Sequence, residues 1–411
     1  MARTPKLKSG FLLNEIMGRY YTLLRDAPRS GKTVALVGLG FPSEILYAFD
    51  MLPLFPQSEA ALTAARGMAG EMLELAEENG VPADICSELK IACTQFGLET
   101  YRDETIYPRP DVILVAGNVC GAMVQFGRYL SRRLHIPFFL LDIPFTSAEA
   151  PSDHFIRYVV EQLRSLLSLL EEISGLKTDL NRLRQAKGLA ARAVAQWQQI
   201  AALARTRPTP VDALEMYSHM FPLTHLRGTR QAITYYCFLA EELTRRVRNR
   251  HSPILQERYR ILWDYLPVYH RSGFFAELFA LHGGIAVTST FFHPVRKDFH
   301  ADAGDGLEAL LTSWAVDFMQ LAPAAGIRTK LGLIEKLVDR YGIDGVVLHC
   351  DRSCKPQSLP QYQLRMAIEQ ELRRPVLLLD ADSVDPRLFS TEQIITRVEA
   401  FFESMDQEDA A

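Results

Sequence analysis

The chain has 411 residues, 48% of them hydrophobic and 23% charged, with 45 Lys+Arg against 49 Asp+Glu for a net charge of -4. That length suggests two or three domains and a core large enough to fold without disulfide or metal staples. The near-balance of charge argues against the basic footprint of a nucleic-acid binder, and no apolar run approaches the ~20 residues of a membrane span.

In chain order, residues 10–27 read as a helix, with Leu12, Leu13, Ile16, Tyr20 and Leu23 at three- and four-residue spacing. Arg3, Lys6 and Lys8 precede it, but Asn14, Glu15 and Arg19 break the apolar stretch that a secretory signal needs. Thr33–Leu39 is strand-like. Gly38, Gly40 and Pro42 then form a turn, and Ser43 is a candidate N-cap for the next helix. A strand, loop, helix, strand unit follows. It runs Asp111–Val115, Asn118-Val-Cys120, a helix to about Leu134, and Ile136–Asp142.

About a hundred residues of helical text come next. Ile156, Val159, Val160, Leu163, Leu166, Leu167, Leu170 and Ile173 recur at helical steps until Gly175 interrupts. A second helix runs from Thr178 to about Leu203, Arg207-Pro-Thr-Pro210 breaks it, and a third spans about Arg230–Arg248. These helices are expected to pack on flanking α/β units; a partner-binding surface is the alternative.

Tyr259–Leu266 and a helix around Phe274–His282 then repeat the first strand and helix. Asp344–His349, Cys350–Cys354, a helix across 359–372 and Arg374–Asp380 repeat the second unit. Pro137 and Pro375 stand as far apart in the chain as Asp142 and Asp380. The pattern predicts two similar α/β halves with short parallel sheets. The expected division is 1–153, an N-terminal α/β domain; 154–252, a helical region; and 253–411, a C-terminal α/β domain. The polar tail Asp406–Ala411 is expected to fray.

Several motifs fail. Ser30-Gly-Lys-Thr33 looks like the end of a phosphate loop, but position 26 is Asp where that loop needs Gly. Gly38-Leu-Gly40 is half of a dinucleotide fingerprint, because position 43 is Ser. His293, His300 and Asp302 lie close in a loop-like stretch and are a metal candidate set against ordinary solvated loop residues.

The six cysteines are Cys86, Cys93, Cys120, Cys237, Cys350 and Cys354. They are too few for a secreted disulfide scaffold, so a cytoplasmic protein with reduced thiols is expected. Cys237 lies in a helical stretch and reads as a small core side chain. Burial is also the default for Cys93 and Cys350. Cys120 and Cys354 follow equivalent strands of the two halves, where ligands collect in open α/β sheets. Soft thiolates select zinc, copper(I) or iron–sulfur clusters.

The surrounding residues carry a family resemblance over nearly the whole chain. Gly40-Phe-Pro-Ser-Glu-Ile-Leu-Tyr-Ala-Phe-Asp-Met-Leu-Pro53 resembles the N-terminal signature of the 2-hydroxyacyl-CoA dehydratase and benzoyl-CoA reductase family. Cys86-Ser-Glu-Leu-Lys90 resembles its first cysteine motif. Tyr107-Pro-Arg-Pro-Asp-Val-Ile with Asn118-Val-Cys120 resembles the second, and Arg352-Ser-Cys-Lys-Pro356 the third. Asp380-Ala-Asp382 and Thr396-Arg-Val-Glu-Ala-Phe401 are similar to its C-terminal ending.

The resemblance implies two flavodoxin-like (Rossmann-like) α/β domains with a [4Fe-4S] cluster between them, held by Cys86, Cys120 and Cys354. It implies an acyl-CoA substrate and an enzyme that is a lyase or an oxidoreductase. A homologous cluster-bearing subunit, or a second copy in a homodimer, is the implied partner. An ATP-dependent iron–sulfur activator would supply a low-potential electron, making a ketyl-type radical of the thioester. Glu44, in the family's Pro-x-Glu motif, is the candidate catalytic residue; a helix N-terminal carboxylate is the structural alternative. Lys355 could meet cluster charge or a CoA phosphate, or simply be solvated.

Departures from the family pattern qualify the substrate. The usual Cys-Asp pair is Cys120-Gly121 here, and Tyr259-Arg-Ile-Leu-Trp263-Asp264 with Ser353–Ser358 looks closer to the B-type branch of benzoyl-CoA reductases. Homodimeric double-cubane reductases of small molecules are the first alternative, although their extra cysteine is missing around Tyr101–Pro110. A non-catalytic partner subunit is the second.

Overall fold

The computed structural model describes residues 7–98, 107–144, 151–293, 305–319 and 326–410. Among these residues, eight strands form two parallel sheets. The first holds β1 (Val34–Val37), β2 (Leu52–Leu54), β3 (Val112–Ala116) and β4 (Phe138–Leu141), in the order β2-β1-β3-β4. The second holds β5 (Tyr259–Asp264), β6 (Gly284–Ser289), β7 (Gly345–Asp351) and β8 (Val376–Ala381), in the order β6-β5-β7-β8. The two orders are the same topology, so the repeated sequence pattern is a repeated fold. Ala35 pairs with Val112 in the first sheet and Ile261 with Gly345 in the second.

Both faces of each sheet are covered, which is why the strands read as continuous apolar runs. Alternate residues on a strand serve opposite faces. Leu36, Ile113 and Val115 join Ile261, Trp263 and Val347 in one core shared by the two sheets. Ala35, Val37, Val112 and Leu114 face a second core under the helices Asp153–Ser174 and Leu307–Met319. Leu262, Val346 and Leu348 face a third, under Ile327–Tyr341. The predicted packing of the helical region therefore holds for Asp153–Ser174. Among the described residues, no helix is long and apolar enough to cross a membrane.

Local chemistry explains the helix limits. Asp153–Ser174 begins where the Ser152 hydroxyl accepts the Phe155 N–H and ends at Gly175, left-handed at φ 71°. Asp179 accepts the N–H groups of Asn181 and Arg182 to start Leu180–Leu203. Gly31 closes the first helix, Ser9–Ser30, at φ 66°. Ser30-Gly-Lys-Thr33 is thus a helix ending, the reverse of a phosphate loop.

Three expectations change. Ser43 stands before the helix Glu44–Ala48, but its hydroxyl does not cap it and reaches the Thr224 carbonyl at 3.5 Å instead. The helix expected across 359–372 is broken at Pro360 into Lys355–Ser358 and Gln361–Ala367, followed by a π turn, Ile368–Leu372. Cys237 is exposed, not core. The buried stripe of its helix, Arg230–Arg248, runs through Ala232, Ile233, Tyr235, Tyr236, Leu239 and Leu243, and position 237 lies off that stripe.

Candidate functional site

In sheets of order 2-1-3-4, ligands collect where connections from the two central strands diverge, beyond their carboxyl ends. Here those places are β1/β3 and β5/β7. Cys120 follows β3 and immediately precedes the helix Gly121–Leu134. Cys354 follows β7 and immediately precedes Lys355–Ser358. Cys86 precedes Ser87–Ala92. All three are free, partly buried thiols in non-helical backbone, with no side-chain capping bond.

The loops carrying them are tied together across the chain. The Ser87 N–H donates to Ser353 Oγ at 3.1 Å, and Ser87 Oγ donates to Asp382 Oδ2 at 3.1 Å. Asp382 also accepts the N–H groups of Val384 and Asp385, at 3.0 and 2.9 Å, at the end of β8. The Cys354 N–H donates to the Asp351 carbonyl at 3.1 Å, while the Cys354 carbonyl accepts from Gln357 and Ser358. One helical turn past Cys86, buried Lys90 donates to Glu77 at 2.8 Å, and Arg387 forks onto the same carboxylate at 2.7 and 3.1 Å. That clamp joins the first cysteine segment to the end of the second sheet.

Cys354 is linked electrostatically to Cys86 on one side and to Cys120 on the other. Burial pushes the Cys86 thiol well up, and Glu88 and Cys354 add to it. Burial also pushes Cys354 up, followed by Asp351, with Glu88 and Cys120 contributing. Glu88 itself is raised to about 8, by burial first and then by Asp351 and Asp382. Asp351 is raised by burial and by Asp382. The thiols thus sit beside an acidic group of Glu88, Asp351 and Asp382. Sequence reading missed these roles; the available signal was an acid two residues after Cys86 and another three before Cys354.

The other candidates separate from this site. Glu44 is fully buried at the turn after β1. Its carboxylate accepts from Trp314 Nε1 at 2.9 Å and pairs with Arg227 at 3.2 Å. Lys355 is exposed and donates to the Arg352 carbonyl at 2.9 Å. Cys93 is buried, and burial pushes its thiol up to about 12. Cys350 is half-buried within β7. His293 is half-buried and bonded to Thr288 Oγ1 at 2.8 Å, whereas His300 and Asp302 lie outside the described residues. An open groove of about 910 Å³ lies at the amino ends of β1 and β3, lined by Arg25, Arg29, Lys32 and Arg109. That is the sheet edge opposite the cysteines.

Among the described residues, no three His, Cys, Asp or Glu side chains cluster tightly enough for a single metal ion. A cluster sets a different requirement. Each thiolate binds its own iron, so the ligands stand around a cube instead of a point. Thiols from three loops, two of which are bonded together through Ser87 and Ser353, fit that donor set.

A family model described as the D-component of 2-hydroxyglutaryl-CoA dehydratase matches residues 39–405. The (R)-phenyllactyl-CoA dehydratase alpha subunit of Clostridium sporogenes is 28% identical, covering 97% of this chain and 96% of its own. A benzoyl-CoA reductase subunit of Thauera aromatica is 27% identical, covering 95% and 93%. The lactoyl-CoA dehydratase alpha subunit of Anaerotignum propionicum is 26% identical over the full length of both chains. Dehydratase and reductase subunits thus match almost equally well.

Proposed function

Since the chain belongs to the 2-hydroxyglutaryl-CoA dehydratase D-component family, and so to subunits of acyl-CoA dehydratases and benzoyl-CoA reductases, we propose that it is the cluster-binding subunit of such an enzyme. Cys86, Cys120 and Cys354 would hold one [4Fe-4S] cluster, leaving one iron without a cysteine. The observation that supports this reading is the place of Cys120 and Cys354 just past β3 and β7, with the Cys86 segment bonded to the Cys354 loop through Ser87 and Ser353. When bound, the cluster supplies one electron at very low potential to an acyl-CoA thioester, which makes a 2-hydroxyl removable or an aromatic ring reducible.

The chain's own part is positional. Cys120 immediately precedes the fourteen-residue helix Gly121–Leu134, whose positive dipole end would meet the negative charge of a bound cluster. The Ser87–Ser353 and Ser87–Asp382 bonds fix Cys86 relative to Cys354. The shared core holds the two sheets, and hence the cysteines, in one geometry. Glu44 acts by positioning, since Trp314 and Arg227 enclose its carboxylate. Glu44→Gln should lower the melting temperature while leaving iron content unchanged.

The relatives' names describe them as subunits of larger enzymes, which supports a homologous partner chain. An ATP-dependent iron–sulfur activator would deliver the electron, and six free thiols suit a reducing cytoplasm. Anaerobic purification with iron and sulfide analysis tests the reading. About four irons per chain is the expected result for one cubane. Serine at Cys86, Cys120 or Cys354 should abolish the cluster spectrum, whereas Cys237→Ser should not. About eight irons would point to a double cubane, and none after anaerobic reconstitution would sink the proposal.

A further inference from the structure

The repeated fold lets the amino edges of the two sheets be compared in register. Asp111 stands one residue before the pair Ala35–Val112, and its Oδ2 accepts the Val34 N–H at 2.7 Å. Asp344 stands one residue before the pair Ile261–Gly345, and its Oδ2 accepts the Arg260 N–H at 2.8 Å. The two edges share this construction. They differ in the charge placed around it.

At the second edge the arginines are neutralised. Arg260 pairs with Glu257, and Arg207 stands 3.8 Å from Glu257 and 3.9 Å from Asp344. Arg258 pairs with Asp406. At the first edge lies the groove of about 910 Å³, lined by Arg25, Arg29, Lys32 and Arg109. Asp111 also lines it, but its carboxylate is committed to the Val34 N–H. Lys32 reaches Asp50 at 3.3 Å and Arg25 stands 3.8 Å from Asp26, both solvent-exposed pairs of the weak kind. Among the described residues, no carboxylate pairs with Arg29 or Arg109.

Folding does not use up this positive surplus. A cation in the last helical turn ordinarily complements the negative end of the helix. Here the Ala27 carbonyl accepts the N–H groups of Gly31 and Lys32, and Ser30 Oγ donates to the Asp26 carbonyl at 3.0 Å. The backbone and Ser30 thus close the helix without Arg29. One guanidinium nitrogen of Arg109 donates to the Leu134 carbonyl, which orients the remaining donors in advance. Pro28, Pro108, Pro110 and Ile136 complete the groove as an apolar wall.

A cavity of this size suits a small molecule. Cations beside an apolar wall suit one with several anionic oxygens on an apolar body, and guanidinium forks match phosphate oxygens two at a time. We propose that this groove binds the diphosphate of a nucleotide, with Arg29 and Arg109 on the phosphates and the prolines and Ile136 against the base. Recognition runs through side chains, not through the amides of a phosphate loop. The site lies at the sheet edge opposite the cysteines and does not depend on their holding a cluster.

Calorimetric titration of the full chain with ADP, and separately with inorganic pyrophosphate, tests the site. ADP should bind saturably and more tightly than pyrophosphate, and its affinity should fall as salt rises because the cations are exposed. Arg29→Gln and Arg109→Gln should each weaken ADP binding about tenfold, the loss of roughly one charge-assisted hydrogen bond. Their thermal midpoints should stay near the wild type, since both side chains are exposed. Arg207→Gln, at the matching edge of the second sheet, should leave ADP affinity unchanged. No saturable binding, or ADP binding that Arg29→Gln and Arg109→Gln leave intact, would overturn the proposal. So would equal weakening by Arg207→Gln. Pyrophosphate binding as tightly as ADP would overturn the role of the apolar wall.

Discussion

Buried histidines set the acid limit of this fold. Burial lowers His219, beside the Tyr235 hydroxyl, and His293, beside Thr288, to about 4 each. Between about 6.5 and 4 the unfolded chain takes up protons that the folded chain refuses, so stability falls as pH falls. Glu77, lowered to about 2 chiefly by Arg387, extends the loss below the ordinary carboxylate range. Glu88, raised to about 8, works in the opposite sense above the ordinary carboxylate range, so the histidine share is read as a difference: between pH 7 and 4, His293→Gln should lose less stability in urea than the wild type. Equal changes in wild type and His293→Gln would contradict the buried-histidine argument. At this scale the sequence was partly legible. The three cysteines stood out through the motifs around them. Glu88 and Asp351 did not, because an acid next to a cysteine reads as a solvated surface group until tertiary packing buries it. Cys237 was misread because its neighbours are apolar, although the phase of Ala232, Tyr236 and Leu239 already turns it outward.

Turns and helix interiors make opposite demands on glycine. A Cβ on Gly40, at φ 88°, would stand 2.5 Å from Val119 Cγ2, next to Cys120. Gly40→Ala should cost about 1–3 kcal/mol through backbone strain and the clash, and it should reduce iron content by moving the Cys120 loop. Gly188 lies inside Leu180–Leu203 with nothing within 4 Å of its missing Cβ. Gly188→Ala should therefore stabilise by about 0.5–1 kcal/mol, and denaturation of the two variants side by side checks both signs. Helices with a clear stripe were legible almost to the residue: Arg230–Arg248 falls where its periodicity puts it. The edge strands β2 and β6 were not. β2 has three residues and contains Pro53, a residue confined to edges and bulges, which argues against a strand in the short run Met51–Phe55.

At the scale of the whole molecule, the chain does not keep its second half to itself. Leu307–Met319 comes from beyond β6, yet it packs against Asp153–Ser174 on the outer face of the first sheet. Apolar burial alone would let that helix slide, so its polar contacts decide its seat. Lys187 Nζ meets Asp317 Oδ2 at 2.6 Å with both side chains almost wholly buried, and Lys187 also stands over the Trp314 ring at 5.2 Å. Trp314 in turn holds Glu44. The pair is a device for registry more than for raw stability, because desolvating two charges offsets most of their attraction. Removing one partner is a different matter. Asp317→Ala leaves the Lys187 ammonium buried without its carboxylate, at a cost of about 3–5 kcal/mol. Burial already lowers the Lys187 pKa against the pull of Asp317, so the variant's loss should shrink as pH rises and the lysine sheds its proton. The double variant Lys187→Met, Asp317→Leu should recover most of the stability. If the two halves are one cooperative unit, calorimetry of Asp317→Ala will show a single transition moved to lower temperature. Two separated transitions would mean that the first sheet and its borrowed helix unfold apart from the second.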